Sequence, residues 1–310
     1  MAQMAREITE ALVSDRLAIE TIDLWKRYDD VEALRGLDLQ VPAGSICGFL
    51  GRNGAGKTTT IKVLLGMARA TKGEARIFGA AAAADARGAA VRQRIGFVSD
   101  EKDLYDYMTV GEIIAFTRPF FPKWRGDLEQ KYLAKFELSL HRDIKALSRG
   151  TRTKLALLLA LCRGAELLIL DEPTAGLDPA MAEDVLQALV GHVASEEMTV
   201  FFSSHQISEI DQIADHVAII DRGRMVTSGS LDELRDRYQR VQLVFAGDAP
   251  KPDPKTPGVV RVQRQGRVLT ILTRDREALI AESRSWSPVS IDSSSVSLKE
   301  LFLESVKTED

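Results

Sequence analysis

Cysteine is scarce in this 310-residue chain: Cys47 and Cys162 are the only two, and both sit in apolar segments. That excludes a disulfide framework and suits a reducing compartment. Long apolar runs are missing as well. The longest, such as Leu155 to Cys162, fall far short of the roughly 20 residues that cross a bilayer, so no membrane span is expected. The first twenty residues carry Arg6, Glu7, Glu10, Asp15 and Arg16 without a sustained apolar core, which argues against a signal peptide. Nor is there an excess of positive charge. With 41 Lys and Arg against 45 Asp and Glu, the net charge is −4, and no extended nucleic-acid surface is expected. The short basic stretches Arg92 to Arg94 and Arg222 to Arg224 read as solvated faces.

What the chain does have is enough apolar residue, 45%, to bury a sizeable core, and enough length for one large domain and a small one. The apolar run Ser45 to Leu50 leads directly into Gly51-Arg52-Asn53-Gly54-Ala55-Gly56-Lys57-Thr58, a complete G-x-x-x-x-G-K-[ST] loop. Residues without a Cβ let successive backbone N–H groups curl around a phosphate, and the following helix points its positive end at the same anion. Gly51, Asn53, Gly54, Ala55, Gly56, Lys57, Thr58 and Thr59 are therefore candidate phosphate-binding residues. Lys57 would reach the β- and γ-phosphates, and the Thr58 hydroxyl would bind Mg²⁺.

A second motif closes the run Leu167-Leu168-Ile169-Leu170 with Asp171-Glu172. Such a continuous apolar run predicts a strand buried on both faces. A carboxylate pair at its tip is costly to bury unless it meets a cation or a reacting water. Asp171 fits a group that holds Mg²⁺ from behind the metal's direct ligands, and Glu172 fits the base that polarises an attacking water. The competing reading is an N-cap acid opening the helix after Pro179.

Three further segments carry a family resemblance: Leu147-Ser148-Arg149-Gly150-Thr151, then Asp171 to Pro179, then Phe202-Ser203-Ser204-His205. With the phosphate loop, in this order, they resemble the ATP-binding cassette (ABC) ATPases over about Leu17 to Leu234. The resemblance implies an α/β P-loop NTPase of RecA-like type, with an antiparallel β subdomain and an inserted helical subdomain at about 100–165. It implies that Tyr28 stacks on adenine, against the alternative of a core tyrosine. Ser148, Arg149, Gly150 and Thr151 match the signature segment that meets the γ-phosphate bound by the opposite protomer. Asp178 matches the loop linking the two sites, and His205 the switch that holds the γ-phosphate and the water. Two departures stand out. Arg149-Gly150-Thr151 replaces the usual Gly-Gly-Gln, and Ser99-Asp100-Glu101-Lys102 stands where a glutamine is usual, which makes Asp100 or Glu101 a candidate metal contact, against the alternative that both acids face solvent.

The implied function is an ATP-binding and ATP-hydrolysing subunit, using ATP and Mg²⁺, that powers export by a separate integral membrane subunit through dimerisation. The dimer is a homodimer or a heterodimer of cassettes, cytoplasmic and peripheral on the inner face of the cell membrane. The alternative is a soluble ABC ATPase acting on ribosomes or DNA. A second cassette and long heptad insertions, features of those classes, are not seen.

Along the chain, Leu17 to Val41 reads as two strands around a turn at Asp29-Asp30, and Ala80 to Ala84 as a surface segment opening a helix through Arg94. From Thr109 to about Leu161 the periodicity is helical. Pro119-Phe120-Phe121-Pro122-Lys123-Trp124 reads either as aromatics packed under a loop or as a groove for a membrane partner, joined by Leu104 to Met108. A composition change near Arg240 divides a cassette at 17–239, after an N-terminal extension at 1–16, from a small α+β domain at 240–310. The closing Ser297 to Leu303 looks like the terminal helix of subunits from bacterial drug, antibiotic and polysaccharide-type exporters.

Overall fold

The computed structural model describes residues 17–83, 86–101, 103–196, 198–250 and 255–305. The N-terminal extension at 1–16 lies outside the described residues. They divide into two compact units, the first ending at Ser228 and the second beginning at Gly229, ahead of the composition break near Arg240.

In the first unit, β1 (Leu17–Tyr28) and β2 (Val31–Pro42) pair antiparallel, from Leu17↔Pro42 to Tyr28↔Val31. The two-residue turn between them places Asp29 in left-handed backbone, which Asp tolerates better than most residues. β4 (Lys72–Ile77) and β5 (Ala80–Ala81) complete this sheet in the order β2-β1-β4-β5. The alanine run therefore does not open a helix. Ala80 pairs with Ile77, Ala80 and Ala82 pack partly on the core, and helix α2 begins only at Ala86 (Ala86–Gln93). Alanine's small side chain lets the backbone bond to a sheet edge win over its helix propensity.

The second sheet runs β10-β9-β3-β8-β7-β6, with β3 (Ile46–Leu50), β6 (Ile95–Val98), β7 (Leu167–Asp171), β8 (Thr199–Ser204), β9 (His216–Asp221) and β10 (Arg224–Ser230). β3, β7 and β8 are buried at every position, which explains their unbroken apolar sequences. The pairs β3/β8, β3/β9, β7/β8 and β6/β7 are all parallel. Leu50 lies opposite Ser204, Asp171 opposite Ser203, and Val98 opposite Leu170. Parallel register thus gathers the phosphate loop, Glu172, His205 and the Ser99-Asp100 segment at one end of the sheet. Helix α1 (Lys57–Leu64) buries Ile61, Val63 and Leu64 in a core shared with Ile19, Leu39, Phe49, Ile169 and Phe201.

Between β6 and β7 the chain forms α3 (Val110–Thr117), α4 (Gly126–Lys135) and α5 (Arg149–Leu161). Thr109 and Glu112 make a reciprocal capping box for α3, and Ser148 caps α5 by accepting the Thr151 N–H. The aromatic turn splits. Phe121 stacks beneath the Arg163 guanidinium, 4.2 Å from its ring centroid, and Trp124 donates to Glu129. Phe120, by contrast, is 61% exposed. It joins Phe116, Tyr105 and Tyr107 in a chain of ring contacts 5.5, 5.8 and 5.6 Å between centroids. After β7 come α6 (Pro179–Glu196) and α7 (Ile207–Ile213). Cys47 and Cys162 are both buried free thiols, and burial pushes Cys162 up to about 12.

The second unit opens with α8 (Leu231–Arg237), capped by Ser230, and is built on an antiparallel sheet. Its order is β12-β13-β11-β14, from Gln239–Val244 (β11), Val259–Gln265 (β12), Val268–Thr273 (β13) and Ser290–Ser295 (β14). Val241, Leu243, Leu269 and Ile271 alternate toward α9 (Arg276–Ser283), whose Leu279 completes their core. The final helix, α10 (Leu298–Ser305), is tied to β11 by an ion pair of 2.8 Å between Arg240 and Glu300.

No described helix is long and apolar enough to cross a membrane. Gly48 marks where packing is tightest in the parallel sheet, since a Cβ there would stand 2.5 Å from Cγ2 of Ile210 on α7. Gly48→Ala is expected to destabilise the first unit by about 1–3 kcal/mol, read as a lower urea midpoint, with partial recovery in Gly48→Ala/Ile210→Val.

Candidate nucleotide-binding site

The phosphate loop leaves β3 at Gly51, where a Cβ would meet the Ile220 carbonyl at 2.7 Å, so the strand end needs glycine. Gly56, at φ 114°, turns the chain into α1, and no side chain caps that helix. Its first N–H groups are left for an anion, in line with the positive end of the helix dipole. The loop is pinned from behind. The Ala55 carbonyl accepts the Gly223 N–H at 2.9 Å, and the Gly223 carbonyl accepts the Arg35 N–H at 2.8 Å. Lys57 is buried, its Nζ donating to the Gly51 carbonyl at 2.7 Å and standing 3.3 Å from Oε1 of Glu172.

At the end of β7 the two carboxylates take different surroundings. Asp171 is buried and accepts the Ser203 hydroxyl at 2.6 Å. The same Ser203 oxygen accepts the Glu172 N–H at 3.1 Å. One hydroxyl therefore orients one acid and fixes the backbone of the next. Glu172 sits in left-handed backbone, φ 48°, a conformation that costs a non-glycine residue about 1–3 kcal/mol and that clusters at functional sites. Its Oε2 lies 2.7 Å from Nδ1 of His205, while its Oε1 faces Lys57. Because a carboxylate accepts, this pairing selects the His205 tautomer protonated on Nδ1.

These groups face a cavity of about 610 Å³. Asn53, Gly54, Gly56, Lys57, Thr58, Thr59, Asp100, Glu172 and His205 line one part, and Val31, Glu32, Ala33, Arg35, Arg52, Ala175 and Arg222 the rest. The fold thus brings most of the sequence candidates together. Asp171 lies behind the wall rather than on it, and so do Gly51 and Ala55. Tyr28 is not on the wall either. It is 42% exposed at the end of β1, with Nζ of Lys26 4.5 Å from its ring centroid. Arg35 carries no signal in the sequence, and Arg222, read there as part of a solvated face, lines the cavity instead. Arg52 holds a variable position of the phosphate loop, and Arg222 enters only through the Gly223 hydrogen bonds.

The signature residues sit elsewhere. Ser148 accepts the Thr151 N–H at 3.2 Å, and its hydroxyl pairs with that of Thr151 at 2.8 Å. A Cβ on Gly150 would fall 2.1 Å from Sδ of Met181, whose N–H donates to Asp178 at 3.0 Å. The first turn of α5 therefore rests on the first turn of α6, and neither Ser148 nor Asp178 lines the cavity of its own chain. Arg149 reaches Asp100 at 3.6 Å. Ser203 is the test of this geometry. Ser203→Ala leaves a buried carboxylate oxygen and the Glu172 N–H without their partner, a loss of about 1–3 kcal/mol, and nucleotide turnover is expected to fall about tenfold or more in a steady-state assay while the fold is kept.

Comparison with known proteins identifies the family. A family model described as ABC transporter matches residues 34–175. The bacitracin transport ATP-binding protein of Bacillus licheniformis is 34% identical over 226 residues, covering 72% of each chain. The daunorubicin/doxorubicin resistance ATP-binding protein of Streptomyces peucetius is 36% identical over 226 residues, 70% of this chain and 67% of that one. A solved structure titled as the ATP binding subunit of an ABC transporter superimposes with a TM-score of 0.63 at 25% identity, covering 70% of this chain and 92% of that one. The first relative and the solved structure are named for transport, which favours transport over the ribosome or DNA reading. The chain belongs to the ATP-binding subunits of ABC transporters and is an ATPase of that family.

Proposed function

We propose that this chain hydrolyses ATP in the cavity at the end of the parallel sheet and so powers export by a separate membrane subunit. The observation that carries the proposal is the continuous contact Lys57–Glu172–His205 on the cavity wall, 3.3 Å and 2.7 Å. ATP binds with its phosphates against the N–H groups of Asn53 to Thr59. Lys57 exchanges its contacts with the Gly51 carbonyl and Glu172 for the β- and γ-phosphate oxygens. Glu172, released from that cation, accepts a hydrogen bond from a water in line with the γ-phosphorus. The water oxygen bonds to phosphorus as the bond to the β,γ-bridging oxygen breaks, giving ADP, inorganic phosphate and a proton. His205 keeps Glu172 oriented through its Nδ1–H.

The Thr58 hydroxyl on the cavity wall is a hard donor that suits Mg²⁺, and Asp171, held behind the wall by the Ser203 hydroxyl, would act on the metal through its bound water. When bound, Mg²⁺ would neutralise charge on the phosphate oxygens. Tyr28, at the end of β1, is the adenine platform, its exposed ring carrying Lys26 against one face.

Two cassettes, identical or related, pair so that Ser148 to Thr151 of one serve the γ-phosphate of the other. Support comes from the position of Ser148 off its own cavity wall. The exposed aromatics Tyr105, Tyr107, Phe116 and Phe120 are the surface for the membrane subunit, with the chain working on the inner face of the membrane; their exposure supports this reading. A contiguous aromatic patch of this kind is rare on a surface without a partner. Export is supported by the relatives named for bacitracin transport and for daunorubicin/doxorubicin resistance.

Glu172→Gln is expected to lose hydrolysis by about 10²–10⁴-fold while keeping ATP, and to run as a dimer in sizing chromatography with Mg-ATP. Turnover at the parent rate in the folded variant would remove Glu172 from the reaction. For the docking surface, Tyr107→Ala/Phe120→Ala is expected to leave ATP hydrolysis by the isolated subunit intact and to reduce recovery of the membrane subunit in co-purification.

A further inference from the structure

Arg149 and Arg152 stand three residues apart on the first turn of α5 and so share a face of the helix. Each meets an acid of the segment that leaves β6. Nη2 of Arg152 is 2.7 Å from Asp106, and Nη2 of Arg149 is 3.6 Å from Asp100. The Arg149 guanidinium also lies over Gly176, where a Cβ would stand 2.6 Å from Nη1. Gly176 belongs to the loop that runs from Glu172 to Asp178, and Asp100 lines the cavity beside Lys57 and Glu172. Two of the residues that depart from the family pattern, the acid Asp100 where a glutamine is usual and Arg149 where a glycine is usual, are thus partners.

Physical chemistry gives this pair a sign. A cation on the first turn of a helix stands at the positive end of its dipole, so Arg149 needs an anion to remain there. Asp100 supplies it from the wall of the cavity. The Arg152–Asp106 pair is the shorter of the two, and its arginine is the better buried. The Arg149–Asp100 pair is long and half exposed on both sides, and such pairs are weak and easily exchanged.

We propose that Asp100 is a positioning residue that acts through Arg149. Together the two set the signature turn, Ser148 to Arg152, relative to the γ-phosphate end of their own cavity. The effect on turnover rests on the pairing of cassettes proposed above; the positioning itself does not.

Asp100→Asn, Arg149→Gln and the double variant decide it, with Asp100→Glu as the conservative rescue. Amide hydrogen exchange in the apo-subunit is read over residues 150–155. Each single variant is expected to speed exchange there by about two- to fivefold, the double no further than the larger single, and Asp100→Glu to restore the parent rate. Unchanged exchange in both singles, or effects that simply add, would overturn the proposal. In steady state, each single is expected to lower kcat about two- to fivefold with KM for ATP unchanged, because the phosphate loop that binds ATP is untouched. If Asp100→Asn shifts the Mg²⁺ dependence of ATP binding while Arg149→Gln leaves exchange unaltered, Asp100 serves the metal and the positioning role falls. If the Glu172→Gln parent forms no ATP-dependent dimer, the pairing of cassettes falls instead, and the exchange comparison still decides the positioning role.

Discussion

Burying Asp171 and Glu172 at the end of a central strand would cost several kcal/mol for each charge without compensation, and the surrounding structure is arranged around that compensation. Ser203, on the neighbouring parallel strand, gives Asp171 a hydroxyl and takes the Glu172 N–H. Lys57, from the other side of β8, brings a buried cation to Glu172, and His205 closes the contact on the remaining oxygen. Each of these groups arrives because β3, β8 and β7 are parallel neighbours whose ends lie level. Shifting any of the three strands by one residue would turn its end group away, so the apolar packing that fixes the register also fixes the chemistry.

Much of this was legible because it is local. The phosphate loop is a contiguous string whose glycines have a backbone purpose, and Asp171-Glu172 announces itself as charge at the end of an apolar strand. What could not be read depends on residues far apart in the chain. Ala80 and Ala81 form a strand because the edge of β4 is there to receive them, whereas alanine by itself favours helix. Arg222 reaches the cavity because Gly223 bonds to both Ala55 and Arg35. The exposure of Phe120 and the cover over Phe121 differ although the residues are adjacent, since one points to Phe116 and the other to Arg163. Asp100 and Arg149 each stand out in the sequence as a departure from the family pattern, and only the fold makes them one feature.

The segment that leaves β6 acquires an unusual number of tasks. Within a few residues it contributes Asp100 to the cavity wall, Asp106 to the signature helix, and Tyr105 and Tyr107 to the aromatic surface. A change of position at any of these is carried to the others by covalent connection, without a long relay of side chains. That suits a subunit whose nucleotide state has to be felt at a separate surface.

The left-handed backbone of Glu172 has an evolutionary consequence. Glycine is the residue that this φ favours, so random substitution at this position offers a route to a less strained protein that has lost its carboxylate. On the role in hydrolysis proposed for Glu172, the acid is kept at the expense of backbone strain, which sets chemistry against fold at this one position. Lineages released from the need to turn over ATP would be expected to drift here early, and to keep the phosphate loop long after Glu172 has gone.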